Sequence, residues 1–197
     1  MFRLLTSARG FSAAEATIVL STVSILAAAA APTLGDYVND ARQARARDEV
    51  RVLASALSRV EGDLLSRANI PGGLAALQLI VGDGDTPAIG SGVDARWAMA
   101  PTASGVGRFN DHLVSNAVGY PAAGTDLPSG IKGWHGPYID RPLNADPWGH
   151  RYAVRFARGV AATVVLSAGP DGVINTMDGP NGLVTGGDDI ISVVSGR

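Results

Sequence analysis

Residues 10–35 read GFSAAEATIVLSTVSILAAAAAPTLG, and this stretch decides how the rest of the chain is interpreted. No residue from Ala16 to Gly35 carries a formal charge. As a helix this run is about 30 Å long, which is roughly the thickness of the hydrocarbon core of a membrane. Hydroxyl side chains interrupt the run between residues 21 and 24, but they can bond to carbonyl groups of their own helix. The stretch therefore predicts a membrane-spanning helix.

Two simple interpretations of this helix compete with a more specific one. Arg3 and Arg9 precede it without any acidic residue, a pattern that places the N-terminus in the cytoplasm and the rest of the chain outside. The run could be a secretory signal peptide cleaved within Ala27–Ala31, or a plain membrane anchor. Glu15 argues against both, because an unpaired carboxylate at membrane depth costs on the order of a few kcal/mol and neither element needs it.

The residues around Glu15 resemble the N-terminus of type IV pilins and of the pseudopilins of type II secretion. The resemblance rests on Gly10 and Phe11, followed by Glu15, a long apolar run and Pro32. In that family a prepilin peptidase cuts after the glycine and methylates the new N-terminus. A cut after Gly10 makes Phe11 the first residue of the mature chain, and the resemblance implies that Glu15 neutralises the terminal amine of a neighbouring subunit during assembly.

The helical pattern continues beyond the apolar run. Pro32 is expected to remove one hydrogen bond and to kink or locally melt the helix. Residues 36–49 are polar nearly all round, which is typical of a solvated face but also suits ion pairs between subunits. Residues 36–65 are predicted to form an amphipathic helix, whose apolar stripe the rest of the chain must cover. Its stripe consists of Leu53, Ala56, Leu57, Val60 and Leu64.

The middle of the chain, residues 66–130, is rich in glycine, proline, alanine and serine. We interpret it as a variable surface loop region that carries no recognisable chemistry. The short apolar piece Leu74–Ile80 could form one or two helical turns.

Residues 131–197 are predicted to form a small antiparallel sheet of three or four strands. Residues 151–156 alternate between apolar and other side chains, which is typical of a half-buried strand. A turn at Arg158–Gly159 leads to a hairpin partner at Val160–Ser167, and Ile190–Val194 is a further strand.

Two short motifs precede the first of these strands. Asp146, Pro147, Trp148 and Gly149 fit a type I turn, and Trp148 is expected to cover the core. The order of motifs in this region resembles the major pseudopilin of type II secretion. The order is Trp134, then residues 136–138 (GPY), then DPWG and a strand led by Tyr152. This second resemblance is independent of the N-terminal one.

A glycine-rich loop with four acids and no base lies before the last strand; the acids are Asp171, Asp178, Asp188 and Asp189. Clustered carboxylates repel one another, and calcium prefers the carboxylate and carbonyl oxygens that such loops supply. An acidic loop held by Asx-turns is an equally open interpretation. The family resemblance implies calcium bound by Asp171, Asp188 and Asp189, with the Ala168 carbonyl, and Asp178 is an extra candidate.

Other functional classes find little support. Sixteen basic against eighteen acidic residues give a net charge of −2, which argues against a nucleic-acid binder. The chain has no cysteine, so disulfides, thiolate metal sites and cysteine nucleophiles are excluded. His112, His135 and His150 do not form a zinc-binding pair, and no nucleophile elbow is present. We expect the protein not to be an enzyme.

Taken together, these patterns predict an α+β, pilin-like subunit. Residues 1–10 are a leader, 11–35 a transmembrane and polymerisation helix, and 36–65 an amphipathic helix. The C-terminal part lies in the periplasm, and the subunit polymerises with itself and with other pilin-like subunits into a pseudopilus for type II protein secretion. The resemblance implies prepilin peptidase, an inner-membrane assembly platform and membrane lipid as partners. The alternatives are a type IV pilus pilin or minor pilin, and a secreted or periplasmic calcium-binding module that never polymerises.

Overall fold

The computed structural model describes residues 10–64, 79–98, 100, 106–124, 132–156, 163–179 and 182–194. The chain divides into two compact units, Met1–Ala41 and Arg42–Arg197. The described residues form two helices, a single 3₁₀ turn and nine short strands. In chain order these are α1 (Ala13–Leu64), β1 (Leu79–Val81), β2 (Ala88–Ile89), the 3₁₀ turn (Ala95–Ala98), β3 (Val106–Arg108), α2 (Phe109–Leu113), β4 (Ala153–Arg155), β5 (Val164–Ser167), β6 (Val173–Ile174), β7 (Met177–Gly179), β8 (Gly182–Val184) and β9 (Ile190–Val193).

Helix α1 agrees with the helix predicted over residues 11–65. The helix continues through Pro32 and across the predicted boundary between residues 35 and 36. Within the first unit its large apolar side chains are exposed, among them Ile18, Leu20 and Ile25. Among the described residues, α1 is the helix that is long and apolar enough to cross a membrane. The predicted N-terminal apolar helix is therefore present.

Within the second unit, α1 buries the predicted apolar stripe. Leu53, Leu57 and Val60 are fully buried, as are the other members of the stripe. They share one core with Val154 of the sheet and with Tyr152, which directly precedes β4. Tyr152 Oη also donates a hydrogen bond to the Glu49 carboxylate, which ties the sheet to the helix.

The main sheet has five strands in the order β3-β1-β4-β5-β9. Strands β1, β4, β5 and β9 pair antiparallel with their neighbours in this order. The predicted hairpin partner (β5) and the predicted last strand (β9) are therefore present. Strand β3 adds to the edge in parallel with β1, with Leu79 opposite Val106. The sheet is therefore mixed rather than antiparallel throughout, while the predicted α+β, pilin-like layout of a long helix on a small sheet is confirmed. The predicted turn at Arg158–Gly159 lies outside the described residues.

The middle of the chain contains more regular structure than a surface loop. Strands β1 and β3 from this region join the main sheet, and β2 pairs with β6. The helical turn predicted over Leu74–Ile80 is wrong at its described end, because Leu79 and Ile80 belong to β1. Residues 74–78 lie outside the described residues. The described end of this apolar run is a buried strand, a case that periodicity alone does not distinguish from a helical turn.

Strand β4 is buried on both faces, so the half-buried strand predicted from its alternation is wrong. Arg155 is buried beneath the sheet, where its guanidinium lies 5.2 Å from the centre of the Trp97 ring and 3.6 Å from the Asp94 carboxylate. Trp97 belongs to a second apolar cluster on that face, together with Leu79 and other residues. Arginine is usually a surface residue, but here both the aliphatic part and the guanidinium of Arg155 are packed in the interior.

Candidate functional site

The N-terminus of α1 is closed by a reciprocal pair of hydrogen bonds. The Ser12 backbone N–H donates to Glu15 Oε2 at 2.8 Å, and the Glu15 N–H donates to Ser12 Oγ at 3.2 Å. This arrangement is a capping box, in which each side chain satisfies a backbone donor of the first turn. Gly10 and Phe11 precede it and are exposed. In the isolated chain the Glu15 carboxylate is thus bound to its own helix terminus.

The hydroxyl groups inside the apolar run are also satisfied within the helix. Ser21 Oγ donates to Thr17 O at 2.7 Å, and Thr22 Oγ1 donates to Ile18 O at 2.8 Å. Ser24 makes the same type of bond four residues back. The prediction that these hydroxyls bond to their own helix is confirmed, and the run presents few unsatisfied polar groups.

The DPWG motif forms the predicted turn and places a buried carboxylate behind β5. The Gly149 N–H donates to Asp146 O at 3.0 Å, which closes the turn. Asp146 Oδ1 accepts the backbone N–H groups of Trp148 and His150, and Asp146 Oδ2 accepts Ser167 Oγ at 2.6 Å. Trp148 packs against the main core, as expected.

The acidic loop begins at the end of β5, where Ala168 is fully buried, and returns to β9. Asp171 is exposed, and its Oδ1 accepts the Val173 N–H at 2.8 Å. The Asp171 N–H in turn donates to Asp188 Oδ2 at 3.2 Å, so the two ends of the loop meet. Gly169 has a φ of +68°, and a Cβ there would lie 2.5 Å from the Asp188 carbonyl oxygen. This close approach requires glycine.

Among the loop carboxylates that the structure describes, Asp189 is the most deeply buried, with 8% of its surface exposed. Its Oδ2 accepts three hydrogen bonds: from the Asn175 N–H at 2.8 Å, and from the Thr176 N–H and Thr176 Oγ1 at 2.6 Å each. Asn175 and Thr176 lie between β6 and β7 and did not stand out in the sequence. Their polar, turn-forming residue types were the available signal.

Two carboxylate oxygens in this loop are buried without a hydrogen-bond partner, Asp188 Oδ1 and Asp189 Oδ1. Burial raises the pKa of both carboxyl groups, and the nearby Asp171 charge raises both further. A buried carboxylate oxygen without a hydrogen-bond partner is unfavourable, and a cation would supply the missing partner. Carboxylate oxygens without another partner are a type of ligand that calcium accepts.

The structure brings Asp171, Asp188 and Asp189 into one loop, but side chains alone do not complete a metal site. Within the described part of the chain, no three histidine or acidic residues are grouped closely enough to hold a metal ion. Backbone carbonyl groups such as that of Ala168 would have to supply the remaining oxygens, as calcium sites permit. Asp178 lies in β7, and its side chain is not among those described.

A cleft of about 440 Å³ lies beside the acidic loop. One wall is formed by helix residues that include Gln43, Arg47 and Arg51. The other wall is formed by residues 187–191, which include Asp188 and Asp189. The cleft therefore joins a basic helix face to the acidic end of the loop.

Comparison with known proteins finds a similarity in the C-terminal part of the chain. Residues 122–185 match the family model described as type II secretion system (T2SS), protein G. The match covers about a third of the 197 residues and includes the DPWG turn, β4, β5 and most of the acidic loop, ending just before Asp188. No curated protein and no solved structure matches the chain. The resemblance to a pilin-like family close to the major pseudopilin is confirmed over this segment.

Proposed function

We propose that this chain is a structural, pilin-like subunit that polymerises into a periplasmic pseudopilus for type II protein secretion. The observation that carries the proposal is the match of residues 122–185 to protein G of that system, on a chain that also begins with an apolar helix. The two resemblances lie at opposite ends of the chain and support the same family. The match to protein G favours a secretion pseudopilus over a type IV pilus.

In this proposal the apolar part of α1 anchors a single pass in the inner membrane, with the second unit in the periplasm. A prepilin peptidase removes residues 1–10 and methylates the amine of Phe11. Subunits then leave the lipid and join the filament at an inner-membrane assembly platform. Glu15 pairs with the terminal amine of a neighbour, and this exchange lifts the cost of burying both charges. No catalytic step is assigned to the chain.

The processing step is tested by intact mass and N-terminal sequencing of the chain expressed with a prepilin peptidase. We expect a mature chain that starts at Phe11, with the added mass of one methyl group. A start within Ala27–Ala31 or at Pro32 would instead establish a signal peptide, and with it the alternative of a secreted calcium-binding module.

We further propose that the acidic loop binds calcium through Asp171, Asp188 and Asp189. The support is the pair of buried, unpartnered oxygens on Asp188 and Asp189. When bound, calcium would neutralise the loop's clustered charge. Calcium sites of extracellular proteins have dissociation constants of roughly 10⁻⁴–10⁻³ M, so the effect should need near-millimolar calcium.

The calcium proposal is tested by thermal unfolding of the full chain in detergent, with calcium and with chelator. In about 10 mM calcium, a hundredfold excess over a dissociation constant of roughly 10⁻⁴ M, binding stabilises the folded state by about 2.7 kcal/mol, which corresponds to roughly 5–10 °C for a domain of this size. We expect this shift in the parent and in an Asp140→Ala control, whose carboxylate is exposed elsewhere. Asp188→Ala should lose it, and equal shifts in all three proteins would exclude the loop as the site.

A further inference from the structure

A segment of the middle region lies against the acidic loop and pairs with it. Strand β2 runs parallel to β6, with Ala88 opposite Val173 and Ile89 opposite Ile174. The Ala88 N–H donates to Gly172 O at 2.9 Å. This pairing begins one residue after Asp171, so it holds the loop next to its first candidate ligand.

The contact extends one residue beyond β2 and reaches Asp189. The Gly90 N–H donates to Ile174 O at 2.8 Å. A Cβ at Gly90 would collide with Asn175 Oδ1 and would lie 3.0 Å from Ile174 O, so the backbone of Gly90 fits closely against this turn. Asn175 is one of the two residues whose backbone N–H groups hold Asp189 Oδ2. The close fit of Gly90 therefore helps to position the Asn175 and Thr176 N–H groups, which orient the Asp189 carboxylate.

The other end of the segment is fixed to the turn behind the loop. The Asp85 N–H donates to Gly149 O at 3.0 Å, and the Arg151 N–H donates to Asp85 O at 2.9 Å. Between these anchors Pro87 is buried. The segment Asp85–Gly90 is therefore attached at one end to the DPWG turn and at the other to the acidic loop.

We propose that Asp85–Gly90 is a brace that holds the acidic loop in its ligating conformation, with Gly90 and Asn175 as positioning residues for Asp189. This inference rests on the proposed calcium function. If folding already orders the loop, calcium binding does not have to supply the free energy of ordering it. The measured affinity for calcium is then higher. Strand β2 comes from a region without a recognisable motif, and its pairing with β6 is what connects it to the loop.

The test compares Gly90→Ala with a matched control, Gly62→Ala, in the full chain in detergent. Gly90 lies outside the left-handed region, so alanine introduces the collision without backbone strain. A Cβ at Gly62 meets nothing within 4 Å. We expect Gly90→Ala to weaken calcium binding, measured by titration calorimetry, by about tenfold, the effect of losing one hydrogen bond of about 1.4 kcal/mol. Gly62→Ala should bind like the parent.

A second measurement separates positioning from general loss of stability. In chelator, amide hydrogen exchange at Asn175 and Thr176 should be about tenfold faster in Gly90→Ala than in the parent, while amides of β4 and β5 keep their rates. Adding Asn175→Ala removes the atom that the new Cβ strikes but keeps the backbone donor. It should therefore restore part of the lost affinity and protection.

The outcomes distinguish the brace from the calcium proposal. Equal exchange at Asn175 and Thr176 in Gly90→Ala and the parent would overturn the brace, whether or not calcium binds. Faster exchange in Gly90→Ala, in a chain whose parent form takes up no calcium, would support the positioning of Asp189 by Gly90 and refute the calcium assignment together with the ligating role of the brace. Faster exchange spread evenly over β4 and β5 would mean that the substitution destabilises the fold as a whole, and this result also contradicts the brace.

Discussion

Glu15 and Asp189 both accept backbone N–H groups of their own chain, but with different consequences. Glu15 is exposed at a helix terminus and uses one oxygen in a capping box. Asp189 is buried and uses one oxygen for three donors, while the other oxygen has no hydrogen-bond partner. The sequence identified Glu15 because an acid is unusual beside an apolar run, and Asp189 because it belongs to a cluster of acids that resembles the family's calcium loop. It did not identify Asn175 and Thr176, because polar residues are common in turns and the backbone donors among their contacts carry no signature in residue type.

His112 provides a pH-dependent prediction at the residue scale. It is 3% exposed, its Nδ1 lies 2.5 Å from Tyr120 Oη, and burial lowers its pKa to about 4, although Asp111 opposes this. The unfolded chain, with a pKa near 6.5, binds a proton that the folded chain excludes between these values. Stability should therefore fall by about 2 kcal/mol between pH 8 and pH 5.

The measurement is the free energy of unfolding of the full chain at both pH values. His112→Gln removes the titrating group and keeps a polar side chain. In this variant the difference between pH 8 and pH 5 should shrink by about that amount. An unchanged pH dependence would show that another group dominates.

At the scale of elements, helix and strand predictions succeeded where one face of the element packs on the core and the opposite face is exposed to solvent. The stripe of α1 was predictable because one side of the helix meets the core and the other meets solvent. Strand β4 was mispredicted because the alternation of arginines suggests a solvent face, whereas Trp97 and Asp94 cover that face from the middle region. Such a cover comes from residues distant in sequence, so local periodicity does not reveal it.

The stripe of α1 gives a prediction with an internal control. Leu57 is fully buried, and Val52 on the same helix is 53% exposed. Leu57→Ala should lower the free energy of unfolding by about 2–5 kcal/mol, because it removes buried apolar contacts and leaves a cavity. Val52→Ala should change it by less than about 0.5 kcal/mol. Denaturant unfolding of both variants checks this, and similar losses would contradict the assigned helix face.

At the scale of the whole molecule, the sequence predicted the long helix, the last three strands of the sheet and the DPWG turn. It missed β1, β2 and β3, because short strands in a glycine-rich region carry too few residues for a periodic pattern. The parallel pairing of β3 with β1 depends on a long-range crossover, which no local motif specifies. The same limitation hid the segment that supports the acidic loop.

The assembly role of Glu15 is a prediction about the molecule as a filament subunit. Glu15→Ala should leave membrane insertion and processing intact but abolish filaments, because no carboxylate remains to neutralise a neighbour's amine. Glu15→Gln keeps an acceptor for the Ser12 N–H but carries no charge, so it should also fail to assemble. Thr17→Ala is the matched control, since the Thr17 hydroxyl bonds only to carbonyls of its own helix in the described structure.

Filament yield and mature chain mass, measured together, check this prediction. Filaments from Glu15→Gln would mean that the capping hydrogen bond, rather than the charge, is what assembly requires. Filaments from Glu15→Ala would refute any role of this residue in assembly.

The pairing of α1 with late strands has a consequence for how the chain is made. Tyr152 donates a hydrogen bond to Glu49, which lies 103 residues earlier in the sequence. Tyr138 donates one to Asp63, which lies 75 residues earlier. The ribosome therefore finishes the apolar stripe of α1 long before it makes the strands that cover it. Until then the apolar stripe is exposed and can associate with other chains. Contacts between residues so far apart in sequence also form slowly. Newly synthesised chains should accordingly depend on a holding factor until β4 and β5 emerge.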